Sequence, residues 1–334
     1  MATLVMTDTQ TTRWSRSRPL ATRFAWAVVA YNILVIVWGA LVRATGSGAG
    51  CGNHWPLCNG VVIPVSPGIH TLIEFTHRSM TGGAAFAVLG LLWWTFRSTT
   101  KGQAARASAV VATVLLLNEA LLGALLVKLG YVTTNQSVGR VVMLSVHLSN
   151  TLLLLAALTL TAYLLRTGQR WREFHVARST AAWTIAGLAS TLVVAVSGSL
   201  AALGDTLFPS ASLSSAVAAD FATGSPWLIR VRWVHPVSAL LAATFVLGLV
   251  RRASHAGVAP KLVRTIALLL AAQFVLGIAD VLLLAPVWLQ LLHLLGADLY
   301  WVALVTLAAQ VASQRQTGRS SAQNAPAETV PSAH

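Results

Sequence analysis

Eight apolar runs, each long enough to cross a bilayer, dominate the chain. They fall at about 24–43, 70–95, 107–128, 140–165, 179–203, 228–250, 263–285 and 288–312. A transmembrane helix needs about 20 apolar residues. In lipid every backbone N–H and C=O must find its partner inside the protein. Runs of this kind therefore leave little freedom. The fold class is an all-α integral membrane protein with eight transmembrane helices. Composition agrees: 56% of the 334 residues are hydrophobic and only 10% are charged, a balance foreign to soluble domains.

The net charge of +14 does not point to nucleic acid, because the cations sit in short segments between apolar runs, which is a topology signal. The segment before the first span, the 97–106 loop, the 166–178 loop, the 251–264 region and the C-terminal tail hold 17 of the 23 Lys and Arg. Counting spans puts all five on one side of the membrane. Both termini are thus expected in the cytoplasm. Residues 1–23 contain Arg13, Arg16, Arg18 and Arg23 and read as a cytoplasmic tail rather than an organelle-targeting segment. Their shortness favours a bacterial plasma membrane. The polar tail 313–334 is expected to be disordered.

The two halves repeat. Val37-Trp38-Gly39-Ala40-Leu41 parallels Val196-Ser197-Gly198-Ser199-Leu200, Leu122-Gly123 parallels Leu276-Gly277, and Glu119 falls opposite Gln273. His77 parallels His235, and His147 parallels His293. This predicts two tandem four-helix bundles related by internal pseudo-symmetry, 24–165 and 179–312, joined by a basic cytoplasmic linker at 166–178. The second, fourth, sixth and eighth spans each carry one histidine, roughly 8–12 Å below the outer boundary at 1.5 Å per residue. One such histidine could be a hydrogen-bonded core residue; four at matched depth point to metal ligands. One ligand per helix, in two pairs, suits a planar macrocycle held between facing helices, and so two bis-histidine haem sites. No Cys-x-x-Cys-His motif is present for covalent attachment. Arg78, Arg140, Arg230 and Arg232 lie near the outer ends of the same helices. They are candidates for haem propionates, with snorkelling to the interface as the competing reading.

The halves also differ. Ile73-Glu74-Phe75-Thr76-His77-Arg78 puts a carboxylate, an imidazole and a guanidinium at the outer end of one span. Ionisable side chains there are costly and mark function. Glu74 and His77 share a helix face, with Arg78 offset by about a quarter turn. The position equivalent to Glu74 in the second half is Arg232. The longest outer loop, 44–69, belongs to the first half. It holds both cysteines, Cys51 and Cys58, among Gly46, Gly48, Gly50, Gly52, Trp55 and Pro56, and is expected to be irregular. One site is therefore expected to hold a permanent cofactor and the other to perform chemistry.

Taken together, Gly39-Ala40-Leu41-Val42-Arg43-Ala44-Thr45-Gly46-Ser47-Gly48, Cys51, Trp55-Pro56-Leu57-Cys58, Glu74-Phe75-Thr76-His77-Arg78, His147-Leu148, His235-Pro236, His293-Leu294 and Ala297-Asp298 resemble the haem A synthase family over about residues 24–312. The resemblance implies oxidation of the C8 methyl of haem O, through a hydroxymethyl stage, to the formyl group of haem A for terminal oxidases. It implies that His77 and His147 flank the substrate haem, that His235 and His293 ligate the iron of haem b, and that Glu74 is catalytic. It implies a pairing of Cys51 with Cys58 on the oxidising side; a structural disulfide and a redox-active one both remain open. Implied partners are haem O and the lipid bilayer; a haem O synthase, an electron donor or acceptor and a second copy of the chain stay open. His54 and His70 read as surface residues, Asp280 and Asp298 as structural. Glu119 stands where the family usually shows Gln. Two other classes compete: a non-catalytic di-haem electron-transfer protein, which leaves Glu74 unexplained, and a haem transporter, for which no broken helix pair at midplane is apparent.

Overall fold

A computed structural model describes residues 8–174 and 177–313. Most of the tail expected to be disordered lies outside the described residues. Ten α-helices are present among them: α1 (Asp8–Ala44), α2 (Ile69–Ser98), α3 (Ala104–Lys128), α4 (Val138–Thr167), α5 (Arg178–Leu207), α6 (Leu213–Phe221), α7 (Trp227–Arg230), α8 (Val234–His255), α9 (Pro260–Leu282) and α10 (Val287–Ala312). Eight stretches are long and apolar enough to cross a membrane, and they match the eight apolar runs. The protein is an all-helical, multi-pass membrane protein. Its outward faces carry large apolar side chains such as Phe86 (80% exposed) and Leu268 (62%), which in this setting meet lipid.

Two differences from the sequence reading concern the ends of spans. Helix α1 starts at Asp8 and runs through Pro19, so much of the segment read as a tail continues the first helix. The segment at 204–227, which joins the fifth and sixth apolar runs, contains the end of α5, all of α6 and the start of α7. The sixth span is broken. After Arg230 the chain makes a turn at 231–233 and restarts at Val234. Pro236 has no N–H to give to the carbonyl of Arg232, and proline is tolerated only in a helix's first turn. The restart at Val234 puts Pro236 there, and makes His235 the second residue of α8.

Helices α1 to α4 form one set of neighbours: α1 packs on α2 and α4, and α3 packs on α2 and α4. In the second half α5 packs on α8, α8 on α9, α9 on α10, and α10 on α5. In each set the two histidine-bearing helices are therefore diagonal. Small residues allow close approach: Ala104, Ala105 and Ala112 of α3 are buried, and Ser108 Oγ donates to the carbonyl of Ala157 at 2.9 Å, a pattern that drives helix association in lipid. The halves meet through α1 and α4 on one side and α5 and α10 on the other. Leu155, Leu158, Leu304 and Leu307 are fully buried there, and Trp301 Nε1 donates to Leu152 O at 2.8 Å. Arg43 at the end of α1 crosses the same seam. It donates to Ala202 O (2.9 Å), Thr206 Oγ1 (3.0 Å) and Gln290 Oε1 (2.9 Å).

Candidate functional site

Each of the four histidines lies against a glycine of the preceding long helix. A Cβ placed on Gly39 of α1 would stand 2.9 Å from His77 Cε1, and one on Gly198 of α5 would stand 2.8 Å from His235 Cε1. The other two pairs are looser, with 3.8 Å from Gly123 of α3 to His147 and 3.5 Å from Gly277 of α9 to His293. The sequence repeats of glycine and histidine thus become one repeated contact. The absence of a side chain lets each imidazole lie in the groove of its neighbour while the chain turns it inward. All four are half-buried.

The second pair is close. The His235 and His293 ring centres are 6.3 Å apart with perpendicular planes. Two imidazoles bound through nitrogen to opposite sides of one metal ion, with bonds of about 2 Å, have their ring centres about 6 Å apart. His235 Nδ1 lies 3.1 Å from Val194 O and 3.4 Å from Ser197 Oγ. A carbonyl can only accept, so Nδ1 carries the proton and Nε2 presents its lone pair. That is the tautomer an axial ligand needs. Nδ1 of His77, of His147 and of His293 is buried without a hydrogen bond among the described residues. No group of three or more His, Cys, Asp or Glu is placed to hold a metal ion among them. The donor set does not suit a tetrahedral ion, whereas iron already held by a macrocycle asks the protein for only one or two ligands.

Glu74 is buried one turn outward of His77. Its Oε2 accepts the N–H of Cys51 at 2.7 Å, and its Oε1 accepts Arg78 Nη2 at 2.5 Å and Nε at 3.1 Å. Arg78 Nη1 also donates to Leu57 O at 2.6 Å. The expected quarter turn separates Arg78 from His77 but not from Glu74, which stands four residues earlier on nearly the same face and pairs with it. Together the two residues clamp both ends of a buried disulfide between Cys51 and Cys58. The surrounding 45–68 segment is irregular, as expected. Gly50 is required there, because a Cβ would stand 2.4 Å from the backbone oxygen of His70. His70 and His54 are both exposed, with His70 Nδ1 hydrogen-bonded to Ser47 Oγ at 2.9 Å.

The second half has a clamp of opposite charge. Arg232 binds Asp205 Oδ1 at 2.5 Å and Asp220 Oδ1 at 2.7 Å, and donates to Ala216 O at 3.0 Å, tying α6 to α5 and α8. The four arginines suggested for propionates therefore differ. Arg78 and Arg232 are engaged with carboxylates. Arg140 is buried and donates to Thr133 O and Asn135 O. Arg230 is exposed. Asp298 is buried in α10 with neither oxygen hydrogen-bonded among the described residues. Sequence reasoning missed the roles of Arg43, Asp205 and Asp220. A cation and two carboxylates at the outer ends of apolar runs were the available signal.

Eight apolar helices, with the four histidines on diagonal pairs of them, define a multi-pass membrane protein. Residues 22–305 match the cytochrome oxidase assembly protein family (COX15-CtaA). The chain belongs to the haem A synthase family. It is 42% identical over 305 residues to a protoheme IX farnesyltransferase of Thermus thermophilus, covering 90% of this chain and 49% of that protein. It is 37% identical over 132 residues to a heme A synthase of Alkalihalophilus pseudofirmus (40% of this chain, 42% of that one). It is 31% identical over 169 residues to one of Bacillus licheniformis (50% and 53%). The chain spans about half the length of the curated relatives it matches.

Proposed function

We propose that this protein is a haem A synthase that oxidises the C8 methyl of haem O, through a hydroxymethyl intermediate, to the formyl group of haem A. The observation that carries the reading is the fourfold contact of histidine on glycine, arranged as two diagonal pairs, in a chain of this family. The two sets of helices act as tandem units of one design. His77 and His147 bracket the substrate haem. His235 and His293 hold a haem b, which supplies a one-electron redox couple when bound. The termini face the cytoplasm of a bacterium, and the disulfide loop faces the oxidising side.

In this reading Glu74 acts as a fixed negative charge. Both its oxygens accept N–H groups, which hold the carboxylate in one orientation. A preorganised carboxylate one turn from His77 stabilises positive charge that develops as the methyl is oxidised. Arg78 and Cys51 hold it in place. The disulfide is shielded on both sulfurs' residues, which favours a structural role over exchange, since exchange needs access to a sulfur.

The name of the Thermus relative suggests prenyl transfer as a second activity. That protein extends well beyond the matched region. Prenyl diphosphate chemistry commonly uses Mg²⁺ held by carboxylates, and no such group is assembled among the described residues. The test is porphyrin extraction and mass analysis from cells supplying haem O and expressing this chain. Haem A or its hydroxymethyl precursor is the expected product. Haem b with unchanged haem O, from folded protein, would replace the reading with di-haem electron transfer.

A further inference from the structure

Behind His147 lies a side-chain network that the proposed reaction does not use. Glu119 of α3 is its centre. Asn150 Nδ2 donates to Glu119 Oε2 at 2.5 Å, and Thr151 Oγ1 donates to Oε1. Asn150 is itself fixed by Asn118 Nδ2, which donates to its Oδ1 at 2.8 Å, and by its own donation to Leu115 O at 2.9 Å. Asn150 and Thr151 are buried. They follow His147 by three and four residues, so one face of α4 turns an imidazole, an amide and a hydroxyl toward one carboxylate. His147 Nδ1 lies 3.3 Å from Glu119 Oε1, within ion-pair distance though not aligned as a hydrogen bond.

The second half lacks every part of this arrangement. Gln273 replaces Glu119, Gly296 replaces Asn150 and Ala297 replaces Thr151. The Gln273 amide fills the space over Gly296, where a Cβ would collide with the end of the side chain, and it is oriented to donate to His293 O and to accept from Ala297 N–H. The network is therefore not a general device for packing a histidine in this fold.

We propose that Glu119 is a positioning residue for His147. It accepts from Nδ1–H, fixes the tautomer that presents Nε2 inward, and makes the imidazole a stronger electron donor than His293. This rests on the reading of His147 as a ligand of the first-site haem. Carboxylate partners of ligating histidines orient the ring and raise its basicity, which favours the oxidised state of a bound iron. The first site is then expected to have the lower reduction potential, a property set by Glu119 where the second half has Gln273.

The test uses the full-length purified protein titrated with haemin, read by absorption, by low-spin electron paramagnetic resonance and by redox titration. Each component is assigned by its loss in His147→Ala or His293→Ala. Glu119→Ala is expected to weaken the His147-dependent component by about 10- to 100-fold, while the His293-dependent component is retained and reports folding. Glu119→Gln keeps an acceptor, so binding returns but the potential of that component rises and its resonance signature shifts. Wild-type affinity in Glu119→Ala overturns the proposal. If Glu119→Ala loses both components, Glu119→Gln decides, and a wild-type potential and signature there overturns it. If His147→Ala removes no component, the first-site reading fails instead, and the two failures are distinct.

Discussion

The two halves share a frame and differ in what surrounds it. Both place imidazoles on glycines across diagonal helices, and both clamp an outer segment with an ion pair at the head of the helix that bears the first histidine. In the first half the helix supplies a carboxylate and a guanidinium, Glu74 and Arg78, and the clamped segment is a disulfide loop held by its backbone. In the second half the turn just before α8 supplies Arg232 and the carboxylates come from α5 and α6. The anchored histidine also changes. His235, on the earlier helix of its pair, bonds to a backbone carbonyl; in the first half it is the later one, His147, that faces a partner, and that partner is a carboxylate. The two halves thus keep the contact of histidine on glycine while their charge patterns diverge. Under the proposed function that divergence fits one site that keeps its haem and one that performs chemistry.

The strongest way to break this comparison is to remove one histidine of the second pair. His293→Ala or His235→Ala is expected to leave the purified protein without haem b, measured as haem per chain. Full haem content would end the assignment of that pair.

A second experiment separates the two roles of Glu74. Glu74→Ala leaves Arg78 without its carboxylate. Loss of one member of a buried pair costs about 3–5 kcal/mol, so the disulfide loop should loosen and become sensitive to protease, with haem A formation stopped and haem b retained. Glu74→Gln keeps an acceptor for the Cys51 N–H. A protected loop with no haem A would place the charge itself in the reaction. Restored haem A would leave Glu74 only the task of holding the loop.

The smallest effects sharpen the glycine contacts. Gly39→Ala and Gly198→Ala push a methyl onto an imidazole at 2.9 and 2.8 Å, and overpacking of this kind costs about 1–3 kcal/mol. Gly123→Ala and Gly277→Ala meet their rings at 3.8 and 3.5 Å and should change thermal stability and haem affinity little. Equal effects at all four positions would contradict the tight and loose pairs.

The apolar runs, the four histidines and the irregular loop were all legible in the chain. Hydropathy adds up along a contiguous segment, and the bilayer sets the length over which it must do so. Repetition made the histidines stand out from any single core histidine. The partners of the charged groups were not legible. Arg43 reaches Gln290, 247 residues away, and Arg232 finds Asp220 only because α6 folds back against α7 and the turn that follows it. The exception is Arg78, which stands four residues after Glu74, so helical geometry by itself brings the two together. Glu119 showed its place in the repeat but not its closeness to His147, which depends on how α3 and α4 are rotated against each other. The sequence by itself determined that this protein crosses a membrane eight times and carries four histidines inward. Only the tertiary structure decided which ion pairs form and which histidine gains an acidic neighbour, because those pairings depend on the depth and rotation of packed helices, and contacts distant in the chain set both.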